Sequence, residues 1–234
     1  MSERDQIAQR ITKQLARVAD LRASAKVDPK AADARRRFRA WQSERLARTH
    51  ADLLASKRFG KAASFFLSDV YGATDPANRD EEVQRAVPTM IKLLTSGGLE
   101  IVADAIELDA LSEDLDAAMI AAIGRRATSL NAAAYGRAYR KVGRRADRQR
   151  QIDLIRSLGH SLDLLAHRSF VAMSLTMMRQ PAKLAGLSDL HSFLERGYAS
   201  FRAMPSADEF IDLVVTREQA LLDSLFAGDD SLLG

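Results

Sequence analysis

The sequence predicts an all-α protein: a single multi-helix bundle of eight to ten helices with an N-terminal helical hairpin or arm. Three observations predict it. Apolar residues recur at helical spacing in nearly every segment, and no segment pairs strand alternation with hairpin turns. The 12 Gly and 5 Pro fall mostly where the periodic segments stop. No repeat of fixed period interrupts the pattern. With 47% hydrophobic and 28% charged residues over 234 positions, the chain can bury a sizeable core and is not a disordered tail.

The first helix starts near Ser2 or Glu3 and runs to about Ala25, with Ile7, Ile11, Leu15, Val18 and Leu21 in one narrow stripe. Asp28-Pro29 reads as an N-cap followed by Pro at the first helical position. The second helix carries Phe38, Trp41 and Leu46 and continues towards Leu53-Leu54. Together they make an arm or hairpin over residues 1–48, with the helical core in 49–234. Ala62 to Gly72 is apolar around most of its circumference, as a buried helix is, and Gly72 suits the position after a helix end. Asn78 with Glu81 resembles a capping box, and Pro88 should kink or restart that helix. After Gly97-Gly98, Leu99 to Leu111 and a Ser112-capped helix to Ile123 follow, stopped by Gly124. Ser129 to Val142 and Arg144 to about Arg179 supply further helix. Ser206-Ala207-Asp208-Glu209 reads as an S-x-x-E capping box before a last helix.

Charge is segregated. Residues 1–60 hold 15 basic and 7 acidic side chains, 61–120 hold 4 and 12, 121–160 hold 10 and 2, and 161–234 hold 6 and 10, giving +4 in all. Such blocks neutralise one another or an external polyanion. Two basic stretches raise the second option: Arg35, Arg36 and Arg37 beside Trp41, and Arg137, Arg144, Arg145 and Arg148 beside Tyr135 and Tyr139. No helix-turn-helix, zinc finger or RNA-recognition signature stands next to them, and the acidic block 100–116 offers a partner of matching sign.

Several chemistries lack their residues. There is no Cys, so disulfides, thiolate nucleophiles and cysteine-ligated metals are excluded. P-loop, dinucleotide, zincin and nucleophile-elbow motifs do not occur. None of the four His follows an acidic residue by three positions, as a di-iron bundle requires. His160, Asp163 and His167 share one helix face, but seven residues separate the two His backbones by roughly 10 Å, too far for one metal. That face is assigned to solvent, a partner or a ligand. The N-terminus is charged, without an apolar signal core, and the apolar stretch from Phe170 to Met178 is broken by Ser174 and Thr176. A cytoplasmic protein without a membrane partner or bound cofactor is expected.

Asp69 stands out. Around the helix it falls between Phe65 and Phe66, in the last turn, where the dipole disfavours an anion. A carboxylate there needs an ion pair or hydrogen bonds. Phe65, Phe66, Asp69, Tyr71 and Gly72 are therefore the expected structural hub. The run Phe65-Phe66-Leu67-Ser68-Asp69-Val70-Tyr71-Gly72, with Asp75, Arg79-Asp80 and Pro88 after it, resembles an uncharacterised family of bacterial helical proteins with the pattern FFL-x-D-L-Y-G. Val70 replaces the usual Leu. The resemblance supports the helical fold and implies no catalytic residue.

The leading function is a non-enzymatic interaction or regulatory protein, forming a homodimer. Two alternatives stand beside it: a nucleic-acid or polyanion binder using the basic helix faces, and a small-molecule or haem sensor using a cavity inside the bundle.

Overall fold

The computed structural model describes residues 2–70, 77–124 and 130–233; for 24–27 and 77–80 it describes the backbone alone. Among the described residues there are eleven α-helices and no strand. Helix α1 (Glu3–Val27) opens with a capping box: the Ser2 hydroxyl accepts from the Asp5 N–H, and the Asp5 carboxylate accepts from the Ser2 N–H. Asp28 ends α1 in extended conformation, as a residue before proline must, and caps α2 (Pro29–Thr49) by accepting from the Lys30 N–H at 2.9 Å. His50 breaks the helix expected to continue, and α3 (Ala51–Ala55) and α4 (Gly60–Phe65) follow. These two short pieces raise the helix number above the eight to ten anticipated. Helix α4 runs straight into a π-helical turn, Phe66–Val70.

Helix α5 (Ala77–Leu93) starts before Asn78 and carries Pro88 inside it, so of the expected kink or restart there is no restart. Helix α6 (Ser96–Ile123) is one continuous helix where two were expected. Ser112 does not cap; its hydroxyl donates back to the Leu108 carbonyl at 2.7 Å, a bond compatible with helix interior. Gly97 and Gly98 sit in the first turn, behind the Thr95 N-cap. Asn131 caps α7 (Ala132–Val142), which ends at Gly143 in the left-handed region. Helix α8 (Arg145–Ala166) is separated at His167–Arg168 from α9 (Ser169–Leu184), where the sequence reading ran on. Helix α10 (Ser188–Arg202) lacks a cap of its own; Glu82 of α5 supplies one, accepting from the Leu190 N–H at 2.6 Å. The S-x-x-E box does not form before α11 (Asp208–Ala227). Ser206 accepts from the Asp208 N–H, and Glu209 pairs with Arg58 instead.

Helix α6 is the spine, with α1, α2, α7 and α8 packed along it, and α8 in turn packs on α10 and α11. One core cluster centres on Phe38, Tyr135, Phe201, Phe210 and Leu225; another joins Ile7 and Ile11 to Val87, Leu99 and Ile106. At the α8–α11 crossing a Cβ on Gly159 would lie 2.8 Å from the Ile211 side chain, so glycine is what lets these helices approach.

The polar seam between the arm and α6 follows from the charge blocks. Arg10 pairs with Glu100 and Asp104, Arg17 with Asp114, and Arg22 with Asp109 and Glu113; from α8, Arg150 pairs with Glu107. Glu113 is the hub: Arg35 reaches both its oxygens at 2.6 Å, Arg22 lies at 3.0 Å and Arg39 at 3.8 Å. Burial pushes its carboxyl up, but Arg22, Arg35 and Arg39 outweigh that and hold it below the ordinary range.

Candidate ligand cavity

A cavity of about 130 Å³ lies between α2, α6, α7, α8 and α11, with the π-helical turn along one side. Its walls combine two chemistries. Leu53, Phe66, Val70, Ile152, Phe210 and Val214 present apolar surface. Facing the same space are Gln42, Arg45, His50, Asp116, Tyr135, Tyr139, Arg148 and Glu218. Helical spacing puts them there. Gln42 and Arg45 share the buried side of α2 with Phe38 and Leu46. Tyr135 and Tyr139 are one turn apart on α7, and Arg148 is in the first turn of α8.

Part of this polar wall is internally satisfied. Arg45 donates to Glu218 at 2.7 Å, and His50 Nε2 lies 3.5 Å from the same oxygen. Burial opposes the ionised Glu218, yet Arg45 and His50 bring its carboxyl down to about 2. Gln151 donates to the Ser112 hydroxyl at 2.8 Å. Trp41 stacks on Tyr135 at 4.5 Å between ring centroids, fixing that ring, and Burial raises the pKa of both tyrosines, keeping their hydroxyls neutral.

The rest is not satisfied. Gln42 Oε1, His50 Nδ1 and Arg148 Nη2 are buried without a hydrogen-bond partner among the described residues. Arg148 is only 8% exposed, and its guanidinium lies over the Tyr139 ring at 4.6 Å. Asp116 makes no hydrogen bond among the described residues, and burial lifts its carboxyl to about 6, with Arg39 and Arg148 opposing and Glu113 reinforcing the rise. A buried polar atom left unpaired costs about 1–3 kcal/mol, and more if charged. Several such atoms face one void, and buried polar groups are ordinarily hydrogen-bonded.

The residues singled out from sequence are distributed as follows. Phe65 is buried against Gly197 and Phe193, and Phe66 stacks near Phe210 and Phe201 at the cavity wall. Asp69 is paired, by Arg196 of α10, whose Nε donates at 2.7 Å; Ser68 donates to its other oxygen. Tyr71 and Gly72 lie outside the described residues, as does Asp75. The basic stretches meet acids within the chain: Arg35 on Glu113, Arg36 and Arg37 on Asp33, Arg144 on Asp114 and Asp147, Arg145 on Asp223. Arg137 is exposed, while Arg148 points inward to the cavity. His160 meets Asp208 at 3.1 Å, and His167 meets Asp163 and the Met204 carbonyl, so this face joins α8 to the segment around the start of α11. Sequence reasoning missed Gln42, Arg45, His50 and Glu218, and placed Asp116 only in the acidic block 100–116. The available signal was polar residues inside the apolar stripe of α2, at Phe38, Gln42, Arg45 and Leu46.

Among the described residues no group of three or more His, Asp or Glu is placed to hold a metal ion, and no helix is long and apolar enough to cross a membrane. No curated protein and no solved structure matches the chain. A family model described as a domain of unknown function, DUF8198, matches residues 21–232, which span all but the first turns of α1 and the last two residues, so the chain belongs to that family.

Proposed function

We propose that this chain is a small-ligand-binding regulatory protein whose interior cavity takes a compact molecule with a polar end and an apolar body. The observation that carries the reading is the set of unpartnered buried atoms, Gln42 Oε1, His50 Nδ1 and Arg148 Nη2, around one void with apolar walls. The volume is close to that of an engineered cavity of about 150 Å³ that accepts benzene. Native mass spectrometry of gently purified protein tests the reading. A small-molecule adduct present on the wild type and absent from Arg148→Met supports it; bare chains in both refute it.

One observation favours a second, compatible reading, the homodimer. On α9 the exposed residues Phe170, Met173, Met177 and Leu184 recur at intervals of three, four and seven, the seam spacing of paired helices. They are 58–88% exposed and present on the order of 500 Å² per chain, so two copies crossing on this seam bury about 1,000 Å², the lower bound of a specific interface. Between Phe170 and Met177 the helix carries no charged residue, and Arg179 beyond them is paired with Glu195 within the chain. Light scattering at tens of micromolar should give twice the chain mass, falling to the chain mass in Met173→Glu/Met177→Glu. A monomeric wild type contradicts it.

A further inference from the structure

The cavity's wall carries opposite charges, Arg148 and Asp116, and that narrows what it takes. Arg148 offers a buried cationic donor with a nitrogen to spare. Asp116 lines the same space with a carboxylate, and Gln42 Oε1 adds a neutral acceptor that is buried without a partner among the described residues. In a desolvated pocket each group penalises the wrong ligand. A purely anionic ligand satisfies Arg148 but is repelled by Asp116. A purely cationic ligand does the reverse. An apolar ligand leaves every polar atom unpaired, and water fills the polar end but wets the wall formed by Phe66, Phe210 and Val214.

We infer that the ligand is a small zwitterion, an α-amino acid with a compact apolar side chain, its carboxylate held by Arg148, its ammonium by Asp116 and Gln42, and its side chain against the apolar wall. This rests on the cavity being a ligand site, as proposed above. The volume of about 130 Å³ limits the side chain to aliphatic size. The lifted pKa of Asp116 is what a carboxylate awaiting a cation should show in the empty protein. Arg45 and Glu218, already joined to each other, line the same cavity and add no net charge to it.

The probes are L-leucine, 4-methylpentanoate, which lacks its amine, and 3-methylbutylamine, which lacks its carboxylate, each titrated by calorimetry into the full chain. L-leucine should bind at least tenfold more tightly than either truncated analogue. Arg148→Met should lose at least tenfold for L-leucine while strengthening the amine, and Asp116→Asn should lose at least tenfold for L-leucine while strengthening the acid, because each change removes the like charge that opposes that analogue. Should Arg148→Met fail to fold, Arg148→Lys tests the same contact through the loss of its guanidinium fork. Equal affinity for L-leucine and one truncated analogue overturns the zwitterion assignment while leaving the cavity a ligand site. Absence of leucine binding beside a native adduct of other chemistry does the same. Absence of leucine binding together with an adduct-free chain overturns both the assignment and the proposed function.

Discussion

Asp116→Asn isolates the cost of keeping an acid in the empty cavity. The folded chain raises this carboxyl from 3.8 to about 6, chiefly by burial, with Glu113 adding to the rise and Arg39, Arg148 and Arg35 opposing it. Between those two values the native state holds the proton more often than the unfolded chain does. Stability therefore falls as pH rises through that window, and the loss is complete above about pH 6. The shift corresponds to about 3 kcal/mol. Asn has no such titration, so the stability of the variant relative to wild type should climb by about 3 kcal/mol from pH 3.5 to pH 7. At this chain length that is a relative gain in Tm of roughly 6–12 °C. Glu218 and Asp52, both held below their ordinary values, lose their contributions on acidification in both chains and cancel in the difference. The assay is paired thermal melts of ligand-free protein across that pH range. A difference that stays flat or shrinks with rising pH refutes the claim that burial outweighs the arginines at Asp116.

Other expectations concern what holds the fold. Glu113→Ala leaves Arg22, Arg35 and Arg39 facing one another without their shared anion, and should cost about 3–5 kcal/mol by urea unfolding; a loss under 1 kcal/mol means the seam is solvated. Asp69→Ala removes the partner of Arg196 and should lower Tm by more than about 2 °C, with a smaller shift contradicting the hub role. Gly159→Val drives methyl groups into Ile211 and should destabilise by about 1–3 kcal/mol, whereas a neutral effect in calorimetry would show that α8 and α11 separate freely. Glu82→Ala uncaps α10 and should raise amide exchange in its first turn, by about 1 kcal/mol of local opening; unchanged exchange there refutes the cap.

The helices were legible because their signals are local. Asp28-Pro29, Gly124 and Gly143 punctuate the chain as expected, each by a geometry its own residue enforces. Where the reading erred, tertiary packing decided. Ser112 looks like a cap in isolation, but α1, α2, α7 and α8 pack along an unbroken α6 and the hydroxyl turns back to Leu108. Pro88 does not restart its helix, whose Val87 is buried in the cluster of Ile7 and Ile11. The charge blocks announced the arm-to-α6 seam, since Arg22 and Arg35 lie in the basic block and Glu113 in the acidic one. The cavity was not legible as a site. Its polar groups come from α2, α6, α7, α8 and α11, spread from Gln42 to Glu218, and no motif spacing spans that distance. Arg148 was noticed for its basic neighbours, and only the fold turns it inward over Tyr139.

Electron density inside the cavity, from crystals of gently purified protein, tests the central claim most directly. The account predicts a discrete organic molecule touching Arg148 Nη2 and Gln42 Oε1, with its apolar part against Phe66 and Val214. A cavity filled only by hydrogen-bonded waters, or collapsed with Arg148 paired to Asp116, contradicts it.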